Sequence, residues 1–280
     1  MNNFNIINKN QLSPDVWRYT LSAPDIARKR RAGHFIILRP LADSERIPLT
    51  IVSSDQDQGT IDIIFQVVGA TTRDLAGLRA GEPVKDLIGP LGHPTEIAKH
   101  GTVAMVGGGV GIAPLLPIAQ AFRAAGNRLV TILGARARSL LILEQELASI
   151  SDKVLLTTDD GSAGQKGLVT AALEPLLVAR EIDFVMAVGP VPMMKAVADL
   201  TRGFGVKTMV SLNPLMLDGT GMCGVCRCQV AGKTRFACVE GPEFDAHQVD
   251  FDSLRRRLTM FREEEKARRE AKPSGGSHAA

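Results

Sequence analysis

Four cysteines fall within sixteen positions in the last third of the chain: Cys223, Cys226, Cys228 and Cys238. With Asp218 counted as a donor, the spacing is D-x4-C-x2-C-x11-C. This is the C-x4-C-x2-C…C ligand spacing of two-iron, two-sulfide clusters with an acid in first place. Asp218, Cys223, Cys226 and Cys238 are four monoanionic donors, the set that two tetrahedral irons require. Gly219, Gly221 and Gly224 allow the loop to turn backbone N–H groups toward the sulfides. Aspartate oxygen is harder than thiolate sulfur, so one iron would differ in potential. Cys228 stands two residues from Cys226 on an expected strand, fits none of the four ligand places, and reads as a buried free thiol. The competing reading is a structural zinc, because C-x2-C is also a zinc signature, although no histidine lies in this loop.

A second chemistry lies upstream. Gly107, Gly108, Gly109 and Gly111 end an apolar run and precede Ile112, Ala113 and Pro114. Such a turn lets backbone approach a pyrophosphate at a helix N-terminus, and proline costs nothing in the first helical turn. Asp159 with Gly161, and Gly189 and Pro190 followed by Met193, end two further strand-like runs. Ligands bind at the carboxyl ends of such strands. Three loops at one edge make one nucleotide cleft. In the first hundred residues, Arg46-Ile-Pro48-Leu49-Thr50 opens a strand, and Gly69-Ala-Thr71-Thr72 precedes a short helix suited to a second pyrophosphate. Gly89-Pro-Leu-Gly92 closes that region. Taken singly, Thr71 is equally a helix cap and Gly-Pro equally a turn.

These residues need a scaffold. Residues 1–97 show short β-branched runs (16–21, 34–38, 49–52 and 60–68) punctuated by turn residues, the pattern of a small β-barrel. Residues 98–211 alternate strands (102–106, 129–133, 154–158, 184–188, 208–211) with helices (113–125, 140–150, 169–178, 193–204), the pattern of a doubly wound parallel sheet. Residues 212–250 form a small irregular lobe with a hairpin, 227–230 against 233–237, turned at Ala231-Gly232. Residues 251–271 read as one charged, solvated helix. Residues 272–280 are small and polar, a disordered tail.

Length and composition narrow the class. At 280 residues with 45% hydrophobic content, the chain suits two cored domains and a smaller element. A net charge of +3 and 4% aromatic residues do not make a nucleic-acid surface. No run is long and apolar enough for a membrane span, and the first residues lack the features of a secretion signal. The cytoplasm is the expected compartment, where clustered cysteines serve as metal ligands. The five histidines show no paired spacing and read as surface or loop residues. No paired carboxylates or Ser/His/Asp set stands out, and hydride and electron transfer need none.

In this order the segments resemble the ferredoxin–NADP reductase superfamily, a flavin barrel followed by a pyridine-nucleotide domain. Gly89 to Gly92 resembles its G-P-x-G junction, and Gly107 to Pro114 its G-G-G-x-G-x-x-P loop. Pro48-Leu49-Thr50 resembles the segment against the flavin ring, and Gly69 to Thr72 the flavin diphosphate segment. With the cysteine loop, the resemblance narrows to the branch that holds dihydroorotate dehydrogenase electron-transfer subunits and the small subunits of NADH-dependent ferredoxin:NADP oxidoreductases. It implies FAD, a 2Fe–2S cluster, NAD(H) or NADP(H), and a larger flavin/iron–sulfur partner subunit, with ferredoxin reached through that partner. Three positions depart from the superfamily pattern. Leu49 replaces the ring-stacking tyrosine, Arg46 lies one place further off than in R-P-Y-S, and Val188 replaces a cysteine often found beside the nicotinamide. Asp218 resembles the oxidoreductase branch, which also uses aspartate; dihydroorotate-type subunits carry four cysteines and are the alternative. A reading of another class is a nucleotide sensor with structural zinc. Arg136 and Arg138 are candidates for a 2′-phosphate.

Overall fold

The computed structural model describes residues 4–271. The expected tail 272–280, with His278, lies outside them.

The first unit holds β1 (Ile6–Ser13), β2 (Val16–Ser22), α1 (Pro24–Lys29), β3 (Phe35–Arg39), β4 (Ile47–Asp55), β5 (Thr60–Gln66), α2 (Ala70–Gly77) and β6 (Asp86–Leu91). Its strands run β1-β2-β5-β4-β3-β6, all antiparallel. Backbone bonds from Ile6 N to Glu82 O (2.9 Å) and from Val84 N to Phe4 O (3.0 Å) bring the two ends together, so the sheet curls into a barrel. Tyr19, Phe65, Ile36, Leu38 and Ile63 fill the interior.

The second unit alternates β7 (Thr102–Gly108), α3 (Ile112–Ala124), β8 (Arg128–Ala135), α4 (Glu144–Ala148), β9 (Lys153–Thr158), β10 (Gln165–Lys166), α5 (Val169–Val178), β11 (Phe184–Val188), α6 (Val191–Phe204) and β12 (Lys207–Ser211). β7 and β11 are buried almost end to end, as central parallel strands require. The remainder carries β13 (Arg227–Val230), β14 (Lys233–Phe236), β15 (Glu243–Asp245), α7 (Phe251–Leu258) and α8 (Arg262–Ala271). The sheet order is β10-β9-β8-β7-β11-β12-β15, with β15 antiparallel on β12.

Several expectations need correction. The 140–150 helix shrinks to α4, because Leu143 takes a left-handed conformation (φ 55°) at its start. The charged helix 251–271 breaks at 259–261 into α7 and α8. Gly89 to Leu91 lie within a strand, β6, and the lobe contributes β15 to the nucleotide sheet. His34 and His100 lie in loops, as expected; within them His34 is buried, its Nδ1 accepting from Arg31 N at 3.1 Å, and His100 stacks on Phe184 at 4.2 Å.

The units are packed together by shared apolar clusters. Val16, Val52 and Ile64 of the barrel join Ile112, Leu115 and Ile118 of α3. On the other face, Phe35 and Ile37 of β3 join Met216, Cys226 and Phe244 of the lobe.

Candidate functional site

β7 ends in Gly107 and Gly108, one tight turn carries Gly109 to Gly111, and α3 starts at Ile112. Gly109 has φ +57°, and a Cβ there would point into open space, so this backbone is free for a ligand to approach. Gly111 is required for the opposite reason: its Cβ would lie 2.6 Å from both Gly189 Cα and Val188 O. A Cβ on Gly108 would fall 2.3 Å from Met193 Sδ, and one on Gly189 2.7 Å from Met193 Cε. The loops after β7 and β11 therefore touch, with Pro190 between them and Met193 laid across both. Here the strand order turns from β8 on one side of β7 to β11 on the other, the switch point at which such sheets bind ligands. At the start of α3, Ile112 is fully buried and Pro114 half-buried. Asp159 is exposed at the same edge, directly after β9, two strands away.

One polar group in this region escaped sequence reading. Thr157 is 1% exposed and its hydroxyl has no hydrogen-bond partner. It lies 3.2 Å from where a Cβ on Gly134 would stand, at the ligand edge of the sheet. The same Cβ would stand 2.4 Å from Val169 Cγ1, so this hydroxyl is packed beneath α5. The available signal was a threonine pair ending a strand at that edge, directly before Asp159.

In the barrel, Ile47, Pro48, Leu49 and Thr50 all stay partly exposed, whereas Ile51 and Val52 are buried. The β4–β5 pairing starts at Ile51, so 47–50 pair on one side only, with β3. This half-open strand offers a shelf for a flat ring. α2 begins at Gly69, where a Cβ would meet nothing within 4 Å. The helix is held in place from behind: Tyr19 Oη donates to Leu75 O (3.0 Å) and Lys9 Nζ to Leu78 O (3.1 Å). Thr72 Oγ1 accepts from Gly69 N at 2.9 Å, so its hydroxyl caps the helix, and Thr71 is buried. Arg46 is half-exposed with Nη2 3.6 Å from Asp86 Oδ2, an acid already paired with Arg39 at 2.6 Å. Gly89 and Gly92 have packing reasons, since a Cβ would stand 2.7 Å from Ile36 Cγ2 or Phe35 Cε1 respectively. Ring shelf, open helix start and nearby guanidinium together fit FAD. The turn Gly109 to Gly111 lies against β5 and α3 against β4, which brings the two cofactor regions face to face.

In the cysteine loop the donors sort into two pairs. Cys226 and Cys238 are buried with Sγ atoms 3.2 Å apart. Two sulfurs on one tetrahedral metal, at bonds of about 2.3 Å, would be separated by roughly 3.7 Å, a small adjustment from this. Asp218 Oδ2 accepts from Cys223 N at 2.9 Å and Oδ1 from Thr220 N at 2.8 Å. These bonds, that from Thr220 first, hold the Asp218 carboxyl below its usual range and keep it anionic. Cys238 shifts the other way: burial and the adjacent Cys226 thiol favour its neutral form, against one N–H bond from Gly221. That thiol becomes a thiolate when a cation supplies the counter-charge. Among the described residues, no three His, Cys, Asp or Glu side chains converge as a single ion needs. The two-by-two arrangement fits a two-iron cluster better than a zinc. Cys228 lies buried on β13, its Sγ directed at Arg235 O (3.6 Å), apart from the pairs.

The loop leans on the flavin shelf. A Cβ on Gly219 would stand 2.5 Å from Leu91 Cδ1 and 3.1 Å from Ile37 Cγ1, and Ile37 is the register partner of Pro48. One strand thus separates the first cluster donor from the ring shelf. Behind the site, Thr95 in the linker donates through Oγ1 to Glu243 Oε1 at 2.6 Å, and Thr95 N donates to Ala32 O at 2.9 Å. Burial pushes the Glu243 carboxyl up to about 7.

Comparison with known proteins agrees with this layout. Residues 105–199 match the oxidoreductase NAD-binding domain, and residues 213–250 match the iron–sulfur cluster binding domain of dihydroorotate dehydrogenase B. A dihydroorotate dehydrogenase B (NAD(+)) electron transfer subunit homolog of Thermotoga maritima is 48% identical over 93% of this chain and 92% of its own length. The electron transfer subunit of Bacillus caldolyticus is 34% identical over 83% of this chain and 92% of its own. A chain from the structure of an NADH-dependent reduced ferredoxin–NADP oxidoreductase superposes with TM-score 0.91 at 45% identity, covering 97% of this chain and 98% of that one.

Proposed function

The chain belongs to the family of dihydroorotate dehydrogenase B electron-transfer subunits and their homologues, and on that premise we propose that it relays electrons between NAD(H) and a larger flavoprotein subunit. It is an NAD-linked oxidoreductase subunit that uses FAD and a 2Fe–2S cluster. When bound, the FAD supplies the exchange between hydride and single-electron transfer, and the cluster supplies a one-electron carrier. The residues of this chain bind and orient. Gly107, Gly108, Gly109, Gly111 and Gly189 admit the nicotinamide dinucleotide, the start of α3 offers its N–H groups to the phosphates, and Met193 closes the floor. Pro48, Leu49 and Thr50 form the flavin shelf, with Arg46 and the start of α2 at its phosphate end. Asp218, Cys223, Cys226 and Cys238 hold the cluster, and Ile37 with Leu91 keep that loop against the shelf.

Of the two partner types, we favour an NADH-dependent ferredoxin:NADP oxidoreductase in the cytoplasm over a dihydroorotate dehydrogenase. The observation that supports this is Asp218 in the first donor place, in a chain of which 97% superposes on a chain of that oxidoreductase. The test is purification with the native partner. Expected are flavin absorbance, a reduced-cluster paramagnetic signal, and reduction of NADP by NADH together with reduced ferredoxin, with no reduction of orotate. Zinc in place of iron would overturn the relay, and orotate turnover would overturn the choice of partner.

A further inference from the structure

The C-terminal arm, residues 251–271, lies beyond both matched domains. α7 is rooted in the cluster lobe: Phe251 and Leu254 are buried there, and Arg257 Nη2 donates to Val225 O, next to Cys226, at 3.0 Å. After the break at 259–261 the chain crosses to the barrel. α8 packs against α2, and Arg268 reaches the β3–β4 turn, pairing through Nη1 with Glu45 and donating through Nη2 to Asp43 O at 2.6 Å. That turn is itself tied to α2 by Ser44 Oγ, which donates to Asp74 Oδ2 at 2.6 Å. The next residue after Glu45 is Arg46. Arg268 therefore meets the turn, and α8 packs on the helix, that were assigned above to the phosphate end of the flavin.

The rest of α8 makes little use of apolar burial. Arg262 to Ala267 are exposed, while Arg268 is only partly so. A ten-residue helix without an apolar face is not stable alone, so its docking depends on the Arg268 contacts and the packing on α2. We propose that α8 is a strap across the phosphate end of the flavin cradle, with Arg268 the positioning residue that clamps the 43–46 turn to α2 and thereby retains FAD. Linkage makes the effect reciprocal: a docked strap slows flavin loss, and bound flavin protects the strap. This rests on the flavin reading above.

The experiment uses the purified full chain loaded with FAD. Flavin loss is followed on dilution by the recovery of free-flavin fluorescence, and amide hydrogen exchange is read over 43–46, 70–77 and 262–268. Arg268→Ala is expected to release FAD about fivefold faster, the scale of one charge-assisted contact, and to speed exchange in all three segments. Arg268→Lys, which keeps a cation opposite Glu45, should recover part of the retention. The KM for NADH should stay unchanged, because the glycine loops lie on another unit. Unchanged release and exchange in Arg268→Ala would overturn the strap. A parent chain that binds no FAD would instead overturn the flavin reading.

Discussion

Asp218 has two roles in the proposed site: as the first cluster donor, and as the acceptor of the N–H groups of Thr220 and Cys223 that shape its own loop. Replacement by alanine removes both, so Asp218→Ala is expected to lose at least about half its iron, since unpaired N–H groups add to the missing ligand. Asp218→Cys keeps a monoanion and should keep the cluster with a shifted reduced-state spectrum. Cys228→Ser should retain iron at the parent level while Cys226→Ser loses most of it; iron analysis and paramagnetic resonance read all four. Iron loss in Cys228→Ser would show that the donor set is wrong. This donor set can be proposed from the sequence because ligand spacing is a property of the chain itself. Thr157 cannot be singled out in that way, since what sets it apart is an unpaired hydroxyl beside Gly134, and no local pattern records a missing partner.

Elements with strong periodicity were read from the chain with small errors. β7, α3 and β11 are apolar and, like α6, end at or just before a glycine; α6, for example, ends at Gly205 in the left-handed region (φ +68°), as a helix C-terminus often does. The missed elements lack such signals. β1 is mostly exposed and polar, and pairing with β2 makes it a strand. β15 has three residues and exists because β12 offers an edge. The contact between the loops after β7 and β11 also belongs to this scale. Gly111→Ala would drive a methyl into Gly189 and Val188, at an expected cost of about 1–3 kcal/mol. Urea unfolding would measure that cost, and NADH titration should show weakened binding with FAD content unchanged. Parent-level NADH affinity would remove Gly111 from the nucleotide site.

At the scale of the molecule, Glu243 stands where barrel, linker and cluster lobe meet. His93, Glu96, His100, Lys207 and Glu240 line the same cavity of about 340 Å³. With its carboxyl near 7 when folded and about 4.5 when unfolded, the folded chain holds a proton that the unfolded chain has released between those values. Stability is therefore expected to fall as pH rises from about 4.5 to about 7, and to stay reduced above. Glu243→Gln should remove that slope and exceed the parent by about 1–2 kcal/mol at pH 8, read from urea melts at pH 5 and pH 8. Equal pH slopes would contradict the assignment. The pairing of β15 with β12, and of Leu212 N with Pro242 O at 2.9 Å, bears on kinetics. A carrier on a tethered, swinging domain delivers electrons at a rate limited by drag, which slows as solvent thickens. Here the carrier's lobe is stitched into the sheet that binds the nucleotide. Electron passage within this chain is thus expected to be indifferent to added glycerol in stopped-flow traces.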